Sequence, residues 1–269
     1  MSESEPYKVR ASSWSSLFNC SYMWEGTQLL GIRSVSGPRA QLGSAIHKST
    51  AMFDQARLDG DDLRADDCAD ALIAKLRDPD DDVAWDDDLS LKQAEKIGLT
   101  LHTEYCTEIS PHYEFLAVEM ETKPMIIDCG GGVHIKLTGT LDRSRVRKGT
   151  NGVGISDLKT GAMAVENGAA KTKGHKPQIG TYEMLYAHTF GVVPTEPGEI
   201  IGLKTKGSLE IATAYIHGAR ELMVGTEEYP GLIQIAAEMF RSGIFPPNPS
   251  SHLCNPKYCP RWDTCRYHD

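Results

Sequence analysis

Apolar positions in the first hundred residues recur at helical spacing. Ser12 or Ser13 is placed to cap a first helix running to about Leu30, and Pro38 reads as the first-turn proline of a second that ends near Gly60. Leu42, Ile46 and Phe53 form the apolar stripe of that second helix. Gly43 and His47 lie four apart on an adjoining face, so the glycine is expected to leave room beside the imidazole. A short helix is expected over 69–77, and Ser90 opens another through about Ile109. The pattern then changes to alternation. Runs at 115–121, 125–129, 133–147 and 153–159, separated by Gly-rich turns, predict an antiparallel meander, with 148–152 turning between the last two strands. A helix over 177–190, strands over 200–204 and 209–216 and a helix over 230–241 complete a mixed α/β order.

Length and charge refine this picture. With 269 residues and 40% hydrophobic content, the chain can bury one sizeable core. The expected organisation is a single domain over 1–269: a helical part at 1–110 with an acidic insertion at 54–88, a core at 111–245 and a cysteine-rich tail at 246–269. The opening residues lack the apolar stretch of a signal peptide, and no run approaches a membrane span, so a cytoplasmic location without membrane contact is expected. The net charge of −9 is local. Residues 54–88 hold fourteen Asp against four Lys or Arg, a balance of −10, without the alternating ligands and glycine of a calcium loop. Between Lys136 and Lys176 nine Lys or Arg face three acids, which would welcome a phosphate backbone.

Candidate chemistry lies inside that basic stretch. Strand alternation projects Asp157 and Lys159 from one face, and Gly139-Thr-Leu-Asp142 puts a second carboxylate on the preceding strand. Two converging carboxylates suit a hard cation such as Mg2+ or Mn2+, which phosphodiester hydrolysis uses to polarise the phosphoryl oxygen and lower the pKa of the attacking water. Lys159 would add fixed positive charge beside that water. Glu119 and Glu121, on a strand before the site, read as strand-surface carboxylates, with assistance to the site as the alternative. The loop lysines Lys171, Lys173 and Lys176 are candidates for DNA phosphate contact.

These elements resemble the Gly-x-x-Asp and Asp-x-Lys-Thr-Gly motifs of RecB-like nucleases in the PD-(D/E)XK superfamily. Gln178-Ile-Gly-Thr-Tyr182 resembles that family's glutamine-and-tyrosine motif, and Leu42-Gly-Ser-Ala-Ile-His47 resembles its upstream histidine element, all in family order. The resemblance implies a restriction-endonuclease-like α/β core with a mixed sheet flanked by helices. It implies that His47, Asp142, Asp157 and the backbone carbonyl of Leu158 bind the metal, that Lys159 orients or activates the water, and that Gln178 and Tyr182 position DNA. The implied activity is a metal-dependent deoxyribonuclease, an exonuclease working from DNA ends in recombination, repair or phage DNA processing.

Cys254, Cys259 and Cys265 place three thiols within twelve residues, a density that suits zinc or an iron–sulfur cluster, each wanting four ligands. This tail resembles the C-terminal half of the 4Fe-4S staple of RecB-like exonucleases, including CRISPR-associated ones, and Cys20 stands where their distant fourth cysteine lies. His252 and His268 are near enough to compete, which keeps Zn2+ as the alternative. Two other readings compete with a self-contained enzyme: a nuclease subunit active only with recombination or helicase partners, and a non-catalytic, zinc-stapled nucleic-acid-binding module. No Walker-type loop occurs, so any helicase motor would be another protein.

Overall fold

The computed structural model describes residues 5–33, 37–80, 83, 85, 86 and 88–268. The first four residues, residues 34–36, residues 81, 82, 84 and 87 of the acidic insertion, and Asp269 lie outside the described residues.

A short strand that alternation did not reveal, β1 (Tyr7–Arg10), opens the fold. The expected first helix is two, α1 (Trp14–Asn19) and α2 (Ser21–Gln28), because Cys20 between them has extended backbone at φ −149°. The Ser13 hydroxyl donates to the Arg10 carbonyl instead of capping α1. Pro38 starts α3 (Pro38–Asp59), and Gly60 ends it in the left-handed conformation at φ 79°. α4 (Ala65–Arg77) begins four residues earlier than expected, with Asp66 and Asp67 in its first turn and Lys75 and Arg77 in its last, matching the helix dipole. Ser90 and Gln93 close a reciprocal capping box on α5 (Leu91–Glu104), which continues as a π-helical turn, Tyr105–Ile109.

β2 (Tyr113–Glu121) and β3 (Met125–Asp128) follow, and then the expected run over 133–147 divides into β4 (His134–Thr138) and β5 (Thr140–Arg147). The two halves join different sheets, so this region is not one meander. The break falls at Gly139, where an added Cβ would sit 2.8 Å from the Tyr182 ring and 3.2 Å from Ala11. β6 (Val153–Gly161), the short pair β7 (Val165–Glu166) and β8 (Ala169–Ala170), α6 (Lys176–Phe190), β9 (Gly198–Lys204), β10 (Glu210–Ile216), α7 (Ala219–Val224) and α8 (Leu232–Ser242) complete the order. The sequence pattern had not shown α7.

The large sheet has the order β10-β9-β6-β5-β2 and is mixed: β6 and β9 run parallel while the other neighbours are antiparallel. One face packs Phe115, Leu158 and Ile201 under α3, α4 and α5, through Leu42, Ile46, Leu72 and Leu101. The other packs Leu141, Ile155 and Ile200 against Ile179 and Tyr182 of α6. The small sheet, β1-β4-β3, lays Val9, Ile135 and Leu137 on Trp14, Trp24 and Phe240. A mixed sheet flanked by helices is therefore present, as expected from the sequence. No helix among the described residues is long and apolar enough to cross a membrane.

Glu199 is fully buried in the large sheet and accepts hydrogen bonds from Ser156 (2.8 Å), Arg145 (3.0 Å), Arg147 (2.9 Å) and the Tyr113 hydroxyl (3.0 Å). Removing one partner from such a buried ionic set strands the charge that remains. Glu199→Gln is expected to lower the unfolding free energy in urea by about 3–5 kcal/mol, since Arg145 would keep an uncompensated buried charge. A loss within the range of ordinary surface substitutions, roughly 0.5 kcal/mol, would contradict this role.

Candidate active site

β5 and β6 lie side by side with Arg143 opposite Ser156, and Asp142 reaches across to accept a 2.8 Å hydrogen bond from the Leu158 N–H. α3 presses onto β6 because Gly43 has no side chain: an added Cβ would lie 2.4 Å from Thr160 Oγ1. The room left by Gly43 is thus taken by Thr160 and not by the imidazole. One turn on, His47 Nδ1 sits 3.6 Å from Asp142 Oδ2.

A third group joins them. One ligand atom each of His47, Glu119 and Asp142 lies within 4.8 Å of the other two. Glu119 departs from its reading as a plain strand-surface residue because the backbone of β2 is irregular. The register of β2 on β5 shifts between Phe115 and Ala117, and Glu119 itself has φ +45°. A non-glycine residue in that region is strained by about 1–3 kcal/mol and persists only where its surroundings hold it. Arg143 does so, donating to the Glu119 carboxylate at 3.2 Å and to the Asp142 carbonyl at 2.8 Å. Arg143 is fully buried and is anchored by Asp54, also fully buried, and by Thr50. Neither the bulge nor the left-handed residue leaves a trace in the hydrophobic pattern.

Asp157 is buried beside this group. Its Oδ2 pairs with the Lys159 ammonium, and its Oδ1 accepts a 2.9 Å hydrogen bond from the Gln178 amide, which also donates to the Tyr182 hydroxyl at 3.1 Å. Gln178 and Tyr182 are one turn apart on α6, so both face β6. Sequence spacing had joined Asp157 with Lys159 and Gln178 with Tyr182, and the fold brings both pairs together.

The electrostatics are those of a crowded anionic centre. Burial, and then the neighbouring Asp142, raise Asp157 against the pull of Lys159, and the same two causes push Glu119 up to about 7. Burial followed by Asp142 and Asp157 raises the Tyr182 phenol. His47 is shifted down, chiefly by burial, which favours the neutral imidazole able to act as a ligand. His175, not singled out from the sequence, is pushed down to about 4 by burial and by Lys159 and Lys171. An imidazole and clustered carboxylates form the nitrogen and oxygen donor set that suits a divalent cation such as Mg2+ or Mn2+.

The remaining sequence candidates lie further off. Lys171 and Lys173 line a cleft with Ser12, Phe18 and His175, whereas Lys176 is set apart from that cleft, with its ammonium near Gly218. Cys20, Cys254, Cys259 and Cys265 all line one cavity, and none is in a disulfide. The tail reaches Cys20 because it is clamped to α1 and α2. Asn248 donates to the Asn19 carbonyl at 2.8 Å, and the Arg261 guanidinium lies 3.6 Å over the Tyr22 ring and pairs with Glu25 at 2.6 Å. His268 stacks on Trp262, and His252 lines the Lys171 cleft instead of the cysteine cavity.

The sequence matches the family model of the PD-(D/E)XK nuclease superfamily over residues 10–266. No curated protein matches the chain. Among solved structures, a "Putative exonuclease" from Eubacterium rectale, 14% identical, aligns over 93% of this chain and 87% of its own with a TM-score of 0.50, a likeness of fold alone. The family match takes in the histidine of α3, the carboxylate strands β5 and β6 and the cysteine tail, and the chain belongs to the PD-(D/E)XK nuclease superfamily.

Proposed function

We propose that the protein is a metal-dependent deoxyribonuclease of the RecB-like branch that degrades DNA from its ends, in recombination, repair or phage DNA processing. The observation that carries this reading is the convergence of His47, Glu119 and Asp142 beside the Asp157–Lys159 pair. His47, Asp142 and Asp157, with Glu119 and the Leu158 carbonyl, would hold Mg2+ or Mn2+. The cation would polarise the scissile phosphate and acidify the attacking water. Leu158 N–H and Gln178 orient the two aspartates, each through one hydrogen bond. Lys159, partly exposed and fixed by Asp157, presents its ammonium where a water nucleophile and a phosphate oxygen can meet it. Tyr182 and Gln178 form the wall against which the DNA strand lies.

The chain reads as one nuclease unit whose tail is joined to α2 by a 4Fe-4S cluster on Cys20, Cys254, Cys259 and Cys265. Four thiols around one cavity fit such a group; of the two competing histidines, His268 stacks on Trp262 and His252 lines the Lys171 cleft. The cluster is structural here: it links Cys20 to a tail more than two hundred residues later, where closing a long loop constrains the unfolded chain.

Two tests follow. End-labelled linear DNA should be lost in the presence of Mn2+ or Mg2+ and spared with chelator, while closed circles survive. Lys159→Ala should reduce the rate by at least about 100-fold, the scale of losing one group that stabilises a transition state. Equal activity in wild type and variant would reject the site. Anaerobically purified protein should be brown, with iron and acid-labile sulfide near four each per chain, and Cys265→Ala should lose colour and thermal stability together. Colourless, active protein containing stoichiometric zinc would replace the cluster by the zinc alternative.

A further inference from the structure

The small sheet turns one face to the core and the other to solvent. Along β1, Tyr7 and Val9 pack inward while Lys8 and Arg10 are exposed. Along β4, Ile135 and Leu137 are buried while Lys136 and Thr138 lie on the opposite side. β1 and β4 pair in parallel with Lys8 beside Lys136 and Arg10 beside Thr138, so three cations share one face. None of the three forms an ion pair among the described residues, although Glu121 lines the same groove. That groove has a volume of about 460 Å³, and Tyr182 also lines it.

The position of this groove ties it to the candidate active site. Its floor is the Thr138-Gly139-Thr140 corner that leads into β5, two residues before Asp142. Tyr182, on its wall, accepts the hydrogen bond from Gln178, which in turn holds Asp157. Ser12 lines both this groove and the cleft containing Lys171 and Lys173, so the two adjoin. Strand geometry separates Lys8 from Arg10 by about 6.6 Å, two residues at roughly 3.3 Å each, a distance comparable to that between successive phosphates of an extended strand.

We infer that the exposed face of β1 and β4, through Lys8, Arg10 and Lys136, binds the phosphodiester backbone of the nucleic-acid strand whose scissile bond reaches Asp142 and Asp157. The surface deepens the nuclease reading and rests on it for the strand's destination. Three cations on a groove that shares Tyr182 with the anionic centre do two things for a polyanion. They hold its backbone by counterion release, and they offset the repulsion it meets on approaching the carboxylates. Tyr182 then marks the point where backbone binding gives way to the candidate active site.

The test is the salt dependence of binding of a fluorescein-labelled oligothymidylate in chelator, where no hydrolysis occurs. For Lys8→Ala/Arg10→Ala/Lys136→Ala the slope of log affinity against log salt should fall by about 2, three contacts at roughly 0.7 each. The charge-keeping pair Lys8→Arg/Lys136→Arg should retain the wild-type slope. An unchanged slope in a triple variant that melts at the wild-type temperature overturns the inference, as does wild-type protein that fails to bind the oligonucleotide. Cleavage by wild type, assayed separately with Mn2+, keeps the two ideas apart. A charge-dependent slope without cleavage leaves the surface standing and removes the nuclease, whereas cleavage with an unchanged slope does the reverse.

Discussion

Carboxylates brought to one place repel each other, and the centre of this fold is arranged around that repulsion. Asp142 is the charged neighbour that most strongly raises both Asp157 and Glu119. A chain holds such a cluster only if rigid elements impose it and nearby cations offset it. The sheet order β2-β5-β6 imposes it, since it sets Glu119, Asp142 and Asp157 on three adjacent strands. Arg143 and Lys159 offset it, the first buried behind Glu119 and the backbone of Asp142, the second half-exposed beside Asp157. In the proposed enzyme a divalent cation would supply the remaining positive charge, so the repulsion stored in the metal-free protein becomes affinity for metal.

That arrangement sets requirements well beyond the site. Arg143 needs a buried counter-charge, which Asp54 provides from α3, and Asp54 is in turn held by the Tyr105 and Ser110 hydroxyls at 2.6 and 2.5 Å. α3 must lie close enough to β6 for His47 to reach Asp142, which makes Gly43 necessary against Thr160. α6 must lie close enough to the β4–β5 corner for Gln178 and Tyr182 to face Asp157, which makes Gly139 necessary against Tyr182. The tail clamp extends the same logic to the periphery, as Gly26 leaves space for Arg261, whose side chain would otherwise collide with a Cβ at 2.3 Å.

Much of this was legible in the sequence, for identifiable reasons. Helices marked by Pro38, Ser90 and Pro177 were readable because caps and first-turn prolines are local signals, and Asp157 with Lys159 because alternation fixes which face a strand residue takes. What escaped notice depends on tertiary structure. The division of 133–147 at Gly139 follows from the approach of Tyr182 and Ala11, and β1 is too short and too charged on its outer face to stand out. Glu119 was read as surface because nothing local announces its left-handed backbone, which Arg143 stabilises from another strand. The helix break at Cys20 likewise makes sense only with the tail folded over it, and Lys176 parts from Lys171 and Lys173 because it opens α6, with its ammonium near Gly218.

In the proposed enzyme, residues from α3, β2, β5 and β6 hold one divalent cation. Anomalous scattering from crystals of the protein soaked in Mn2+ would locate it. A single strong peak bounded by His47, Glu119, Asp142 and Asp157, absent in Asp142→Asn crystals treated alike, is the predicted result. Manganese bound elsewhere with this centre empty, in crystals whose protein digests DNA in solution, would contradict it.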